Sequence, residues 1–385
     1  MKRFINQETK RILKLVGIAF LIWRALLLVI TFLGTKLLPL NEGYLGGGIE
    51  QYLKNPLLWS WANFDGIHYL TIAKSGYQFR QAFFPLYPYF VRSLTTFTEN
   101  YLFSGLLISH FSLIIALFLL YKLVRLDFSE GIARRSLVYL LIFPTSFYLG
   151  SVYSESLFLA LVLGSFYAAR KKHWWIAGVL GAFASATQFV GIFLFPALLV
   201  EWYSKKGKRK KKIIKEIGEC LPLFFIAVGF LFYMGYLKET VGDPLYFIHI
   251  QPLYGAQRTG VKLILLYQVF WRYIKMLITV QKLTPTYFVV ILESLAGVTF
   301  LFLSIFAYLR RWFTYVTFMA LAFITPTLTG TFSSLPRYVL VLFPGFILLA
   351  IWAEKYKWVR ILYPLISISL LIISLLFFTR GFWVA

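Results

Sequence analysis

The sequence has few of the residues that build disulfides, metal centres and acidic sites. Its 385 residues include one cysteine, four histidines and three aspartates. The single Cys220 excludes an internal disulfide and a cysteine-based metal site. Only 14% of the residues are charged, against about 25% in soluble proteins, while 59% are hydrophobic, against about 45–50%. A soluble core could not hide that much apolar surface, so the sequence predicts an all-α protein that crosses a membrane several times.

The excess of basic residues fits a membrane protein. The 39 lysines and arginines outnumber the 15 acidic residues and give a net charge of +24. In a soluble chain this charge would suggest nucleic acid as a partner. Here the basic residues lie between apolar segments, where cytoplasmic loops retain the chain and contact anionic lipid. We therefore expect membrane lipids as partners and no nucleic acid.

Apolar runs of about 20 residues predict the membrane-spanning helices. The long runs cover residues 12–38, 101–124, 218–237, 285–309, 312–328, 338–353 and 358–378. Polar or glycine-containing breaks divide residues 136–204 into four shorter helices. The first run is followed by no small-residue cleavage site, so it is interpreted as an uncleaved span. The sequence thus predicts about 11 transmembrane helices.

The basic clusters predict the orientation of these helices. All six clusters fall on the cytoplasmic side if the N-terminus is cytoplasmic and residues 83–97 lie on the membrane surface. One cluster consists of five basic residues between Lys2 and Lys14, and another is the run from Lys205 to Lys215. If one pair of the short helices does not cross the membrane, the remaining loops stay on the same sides.

Two large extracytoplasmic loops remain, at residues 39–100 and 239–284. Both contain amphipathic stretches rich in Tyr, Phe and Trp, which are suited to interfacial helices. The chain shows no internal repeat, which disfavours a secondary transporter. We expect residues 1–385 to form a single integral-membrane domain.

Of the three aspartates, Asp127 follows Arg125 in a predicted inner loop and is interpreted as a solvated charge. Asp65 stands in the first outer loop. If a helix begins there, Asp65 is its N-cap, and His68 lies on the same face. Such a pair suits a general base with its orienting partner, half of a metal site, or a helix cap alone. No second histidine lies nearby, so the metal site is the weaker interpretation.

Four further polar side chains reach the outer face under the same topology: Glu155, Gln188, Asp243 and Arg337. Glu155, Asp243 and Arg337 each have an ordinary structural interpretation, since acids complement helix N-termini, Asp before Pro starts turns, and Arg extends to lipid headgroups. Taken together with the first outer loop, they predict a polar cluster ringed by aromatic residues. Such a cluster suits a reaction between a lipid phosphate at the bilayer edge and a polar acceptor.

Short motifs connect this cluster to a known family. They are Phe64-Asp65 through Ile72-Ala73 and Gly76-Tyr77, Phe83 to Pro88, Pro144 with Tyr153 to Leu157, Trp174-Trp175 through Gly178, Ala186-Thr187 and Gly191, Gly242-Asp243-Pro244 to Gln251, and Leu335-Pro336-Arg337-Tyr338. In these motifs, from about residue 61 to residue 338, the sequence resembles the PIG-V-like mannosyltransferases. That family comprises glycosyltransferases of the GT-C fold that use lipid-phosphate-linked sugars.

The resemblance implies a GT-C-like fold and an inverting transfer of mannose, or a similar hexose, from a polyprenyl-phosphate-sugar donor. The acceptor would be a glycolipid or a glycan, and no cofactor or metal is expected. Asp65 would be the catalytic general base. The substrate-binding residues would be His68, Glu155, Gln188, Asp243, Gln251 and Arg337. We expect a plasma-membrane location with the active site outside.

The sequence departs from the family pattern at two positions. Members commonly carry Arg-Trp-Asp where this chain has Asn63-Phe64-Asp65, and an Arg after Ala-Thr where it has Gln188. Both departures remove a cation near the expected phosphate. Lys74, Arg80 and Arg337 are candidate replacements, and a different donor is the alternative.

The sequence leaves three rival functions open. A flippase for lipid-linked sugars would favour charged residues at mid-membrane, where only Arg24 is clearly placed. A different glycan polymerase or ligase would share the outer polar cluster. A structural or assembly role would leave Asp65 without a catalytic task.

Overall fold

A computed structural model of the chain describes residues 7–205, 218–260 and 262–385. Across these ranges the backbone forms helices and no β-strands, which confirms the all-helical prediction. The α-helices described there are α1 Gln7–Leu37, α2 Gly48–Lys54, α3 Pro56–Trp59, α4 Asp65–Ser75, α5 Leu86–Thr98, α6 Tyr101–Val124, α7 Glu130–Leu141, α8 Glu155–Arg170, α9 Trp174–Thr187, α10 Leu194–Ser204, α11 Phe225–Val241, α12 Tyr246–His249, α13 Leu266–Thr279, α14 Pro285–Leu309, α15 Phe313–Thr327, α16 Leu335–Tyr338, α17 Phe343–Lys355 and α18 Lys357–Thr379.

Five helical segments of the described chain are long and apolar enough to cross a membrane. They are Gln7–Leu37, Tyr101–Val124, Gly218–Val241, Pro285–Leu309 and Lys357–Thr379. Shorter apolar helices cover Trp174–Thr187, Phe189–Ser204 and Phe313–Thr327. Each predicted span overlaps a helix, but length and composition alone do not establish that the shorter helices cross, so the count of about 11 stays a prediction.

A sixth span is counted if two helical segments that are joined at a bend cross the membrane as one unit. Leu335–Val341 and Phe343–Lys355 meet at an angle of 79°. Pro344 stands at the start of the second arm, and a proline cannot donate the backbone hydrogen bond that a continuous helix would need. The first segment, which carries Arg337, therefore ends at the bend.

Helix α8 forms the centre of the bundle. It packs between α6 and α9, and nearly all of its residues are buried. Glycines bring α9 against the segment that leads into and forms α11. A Cβ at Gly178 would lie 2.0 Å from the carbonyl oxygen of Pro222, and one at Gly229 would lie 2.0 Å from that of Ala182. Small residues permit such close helix packing, which holds Glu155 at one end of α8 on a rigid support.

An ion-pair network surrounds the opposite end of α8. Arg170 donates to both carboxylate oxygens of Asp127, at 2.7 and 2.5 Å, and lies 3.3 Å from the carboxylate of Glu201. Lys205 also pairs with Glu201, at 2.8 Å. The interpretation of Asp127 as a merely solvated charge is wrong, because a bidentate guanidinium contact holds it. Of the predicted basic clusters, Lys2, Arg3 and residues 206–215 lie outside the described residues.

The first outer loop folds back against the last helix. Asn63 is fully buried, and its side-chain oxygen accepts from the Gly46 amide at 2.8 Å while its side-chain nitrogen donates to the Phe378 carbonyl at 2.9 Å. Arg92 on α5 donates to the Ala73 carbonyl on α4 at 2.6 Å. These bonds fix the short helices of residues 39–100 relative to the bundle.

The second outer loop is joined to the end of α15. The amides of Thr259 and Ile264 donate to the carbonyls of Thr329 and Leu328, each at 3.0 Å. On α13, the Tyr273 hydroxyl donates at 2.5 Å to Glu293, a buried residue of α14. The two loops thereby form opposite parts of one enclosure above the bundle.

Candidate active site

Asp65 is the first residue of α4. The residue before it, Phe64, has a φ of 56°, a conformation that is unusual for a bulky side chain and concentrates at functional sites. The Tyr153 hydroxyl connects the two residues that flank Phe64. It donates to the Asn63 carbonyl at 2.8 Å and accepts from the Asp65 amide at 3.2 Å. The expected N-cap role of Asp65 is wrong, because Phe64 occupies that position and the carboxylate points to a partner elsewhere.

That partner is Arg337, which lies between two carboxylates. Its Nη1 donates to Oδ2 of Asp65 at 2.6 Å, and its Nε lies 3.1 Å from Oε1 of Glu155. Arg337 and Glu155 are buried, with 5% and 2% of their surfaces exposed, whereas 16% of the Asp65 side chain remains accessible. One guanidinium is therefore shared by two carboxylates.

Aromatic rings fix the guanidinium in place. The rings of Tyr148, Tyr153 and Tyr338 lie 5.4, 5.3 and 5.1 Å from the carbon at its centre. Cations are attracted to aromatic faces at such distances. Arg337 is thus held by charge and by ring contacts, and it presents Asp65 in one orientation.

The carboxylate lines a large cavity between the two outer loops and the bundle. The cavity has a volume of about 1410 Å³, and its walls are mainly apolar and aromatic. The ionisable acidic and basic side chains on its walls are Asp65, His68, Arg80, Glu155, Arg258, Lys262 and Arg337. A cavity of this kind, apolar with a few converging polar groups, is typical of a ligand site.

His68 lines the cavity but is directed to Arg80. The Nε of Arg80 donates to Nδ1 of His68 at 3.2 Å. Burial lowers the pKa of His68 from its ordinary value, while the charge of Asp65 raises it and that of Arg80 lowers it. The described contacts contain no hydrogen bond between His68 and Asp65, so the expected base-and-orienter pair is replaced by Asp65 with Arg337.

The two predicted glutamines also line the cavity. Gln188 donates to the Ser154 hydroxyl at 3.0 Å, and that hydroxyl lies 2.8 Å from the Tyr69 hydroxyl. Gln251 donates to the Phe247 carbonyl at 3.0 Å. Both amide nitrogens thus have a protein partner, while neither side-chain oxygen accepts a hydrogen bond from the residues that the structure describes.

Asp243 does not line this cavity. Its Oδ2 lies 2.6 Å from Nδ1 of His249, and its Oδ1 accepts from the Leu245 amide at 2.9 Å. The bond to His249 holds the pKa of Asp243 below its ordinary value. This arrangement is the turn that Asp before Pro favours, and it favours the structural interpretation over a substrate-binding role.

Sequence reasoning missed Arg258 and Lys262 in the second outer loop and Trp383 beyond the last helix. All three line the cavity, and the Trp383 ring packs edge-on against Phe64 at 5.4 Å. Single basic residues in a long loop resemble ordinary solvated charges, so no spacing in the sequence singled them out. Lys74, a candidate replacement cation, is exposed and does not line the cavity. Among the described residues, no three His, Cys, Asp or Glu side chains are grouped as metal ligands.

Comparison with known proteins identifies the family. The model of the mannosyltransferase (PIG-V) family matches residues 14–240, which is more than half of the chain. The chain therefore belongs to the mannosyltransferase (PIG-V) family. Asp65, His68, Glu155 and Gln188 lie inside the matched region, whereas Arg337 lies beyond it.

Solved structures of an oligosaccharyltransferase from Archaeoglobus fulgidus are also similar to this chain. One, tethered with an acceptor peptide, has 14% identity and a TM-score of 0.45, and the match covers 96% of this chain and 55% of that one. Another, in complex with an inhibitory peptide and a dolichol-phosphate, has 13% identity and a TM-score of 0.39, with 97% and 56% covered. The chain thus spans about half the length of these structures. No curated protein matches it significantly.

Proposed function

We propose that this chain is a membrane glycosyltransferase that moves mannose, or a similar hexose, from a polyprenyl-phosphate donor to a glycolipid or glycan acceptor. Family membership supports the class of reaction. The observation that carries the proposal is the Asp65 carboxylate, which is held by a buried arginine at the wall of the 1410 Å³ cavity. A base must lie within reach of the proton that it removes, and an accessible cavity wall provides that position.

In the proposed reaction Asp65 is the general base. Arg337 occupies its Oδ2, while Oδ1 accepts no hydrogen bond from the described residues and is the atom assigned to the proton. An acceptor hydroxyl loses its proton to Oδ1 as its oxygen forms a bond to the anomeric carbon. The bond from that carbon to the phosphate oxygen breaks, the polyprenyl phosphate leaves with the electron pair, and the anomeric configuration inverts.

Glu155 and Arg337 act as positioning residues in this proposal. When Asp65 takes a proton, Arg337 loses the charge of one partner but keeps that of Glu155 at 3.1 Å. The guanidinium is then never left as an isolated buried charge, which would be costly. Gln188, Gln251 and His68 line the same cavity and would contact the substrates.

The donor lipid and the orientation of the chain belong to the same proposal. Apolar wall residues such as Phe84, Phe247 and Val341 suit a polyprenyl chain. Glu155 and Arg170 stand at opposite ends of α8, about 22 Å apart at 1.5 Å per residue. With the basic network of Arg170 and Lys205 in the cytoplasm, the cavity opens on the extracytoplasmic face of a plasma membrane, and residues 1–385 act as one domain.

The donor class is tested by incubating membranes that contain the protein with radiolabelled polyprenyl-phosphate-mannose, which lets the native membranes supply the acceptor. A parallel sample receives nucleotide-linked mannose, and membranes without the protein serve as the control. We expect label from the polyprenyl donor alone to become covalently linked to a lipid or glycan, with inverted anomeric configuration. Label that crosses the bilayer without being transferred would instead indicate a flippase.

A further inference from the structure

The cavity holds more positive charge than its own carboxylates can balance. Four cationic side chains line it, namely Arg80, Arg258, Lys262 and Arg337, against two carboxylates. Both carboxylates pair with Arg337. Among the described residues, the other three cations form no ion pair with an acidic side chain. Arg80 and Arg258 are half-buried and Lys262 is exposed. An anionic ligand that enters the cavity therefore meets a net positive charge on its walls.

The side chains of Asn63 and Gln188 supply no positive charge for an anion. Asn63 is fully buried, and its side-chain nitrogen donates to the Phe378 carbonyl at 2.9 Å. Gln188 donates to the Ser154 hydroxyl at 3.0 Å and carries no charge. Arg337 is already balanced by two carboxylates. The cations left for a ligand therefore come from the two outer loops.

Arg80 and Arg258 stand on walls that meet at Tyr254. The Tyr254 hydroxyl donates to the carbonyl of Phe79, the residue before Arg80, at 3.2 Å. The Arg258 amide donates to the Gly255 carbonyl at 3.2 Å, which closes a turn directly after Tyr254. The ends of such a turn lie within about 7 Å of each other. The two arginines thus flank one contact between the loops.

Each arginine is oriented by a neutral partner and keeps donors free. Nε of Arg80 donates to His68 and Nη1 donates to the Gln78 carbonyl at 2.9 Å, so Nη2 remains. Nη2 of Arg258 donates to the Ser334 hydroxyl at 3.0 Å and to the Ser333 carbonyl at 3.4 Å, while Nε and Nη1 make no hydrogen bond with the described residues. Guanidinium groups bind phosphate oxygens through paired hydrogen bonds.

We infer that Arg80 and Arg258 form a phosphate site built by the two outer loops. Lys262, on the same cavity wall, adds a third charge. The ligand class is a phosphate ester that carries an apolar chain. Its assignment to the sugar donor rests on the proposed function, whereas the site itself does not.

The test measures binding alone, without acceptor or transfer, so its failure is distinct from failure of the proposed function. The purified chain is placed in phosphatidylcholine nanodiscs and titrated with farnesyl phosphate, with farnesol as the uncharged probe. We expect farnesyl phosphate to bind at least tenfold more tightly. Arg80→Gln and Arg258→Gln should each weaken its binding about tenfold or more, as expected for a lost charged hydrogen bond, and leave farnesol binding unchanged.

Matched variants distinguish binding at a specific site from a general effect of the protein's charge. Lys74→Gln and Lys275→Gln remove the same charge from the same two loops at exposed positions away from the cavity, and they should bind like the wild type. Arg258→Lys keeps the charge but loses the paired hydrogen bonds, so it should bind farnesyl phosphate more weakly than the wild type and more tightly than Arg258→Gln. Equal binding of the two probes by the wild type, or equal losses in the Lys74 and Arg258 variants, would overturn the inference. Competition by phosphatidylglycerol in the nanodisc would overturn the donor assignment, because the site would then hold a lipid headgroup.

Discussion

Removal of the Arg337 guanidinium is expected to destabilise the fold strongly. In Arg337→Gln, Asp65 and Glu155 would face each other with no cation between them. Breaking a buried ion pair by removing one partner costs about 3–5 kcal/mol. Because 16% of the Asp65 side chain is exposed, while only 3% of that of Glu155 is, we expect a loss of about 3 kcal/mol, at the lower end of that range.

Removing the charge of Glu155 as well should restore part of the stability that Arg337→Gln loses. Glu155→Gln alone keeps the bond between Asp65 and Arg337 and should cost about 1 kcal/mol or less, as for a neutral replacement of the same shape. In the double variant only Asp65 stays unpaired, and it is the more exposed of the two carboxylates. The double variant should therefore be more stable than Arg337→Gln alone, with a coupling energy of about 1–3 kcal/mol.

The assay is unfolding of the purified protein in mixed detergent micelles, titrated with sodium dodecyl sulfate and followed by tryptophan fluorescence. The four proteins of the cycle are measured at one pH and one lipid concentration. An Arg337→Gln variant within about 1 kcal/mol of the wild type, or strictly additive losses in the double variant, would refute the view that one guanidinium is shared by two carboxylates.

Three further perturbations test the packing, the turn and the backbone at the site. Gly229→Ala would place a Cβ 2.0 Å from a carbonyl of α9 and should cost about 1–3 kcal/mol, whereas Gly235→Ala meets no atom within 4 Å and should not, as unfolding titrations would detect. Asp243→Asn should leave sugar transfer unchanged. Because the hydrogen bond from His249 lowers the pKa of Asp243, its small stabilising effect should be present at neutral pH and disappear as the pH falls below 3.8, the ordinary value, in unfolding curves of both proteins. Tyr153→Phe should cost about 1–3 kcal/mol and slow transfer, because a carbonyl and an amide beside the base lose their partner.

Hydropathy predicted the helices well because burial in a membrane imposes long apolar runs. Each expected span overlaps a described helix, and the two outer loops hold the short helices that their aromatic residues suggested. The number of crossings could not be derived in the same way, because three of the apolar helices are shorter than a span. Helices of that length cross only where neighbours shield them, and this depends on packing rather than on local sequence.

The site was only partly predictable, because it is assembled from distant parts of the chain. Asp65 and Arg337 were both recognised as candidates, but their contact joins residues 272 positions apart, and no periodic pattern reports such a pairing. His68 was assigned to Asp65 from helical spacing, whereas a loop cation, Arg80, reaches it in the folded chain. Arg258 carries no local signal at all, because only the fold of the second outer loop brings it to the cavity.

The central claim is that Asp65 is the base of a sugar transfer. It is tested most directly by the rate of mannose transfer from polyprenyl-phosphate-mannose in membranes that hold equal amounts of the wild type and of Asp65→Asn. The amide keeps the size of the side chain but cannot take a proton, so the account predicts a fall of about 10²–10⁴-fold. Transfer by Asp65→Asn at a rate within a few-fold of the wild type would contradict it.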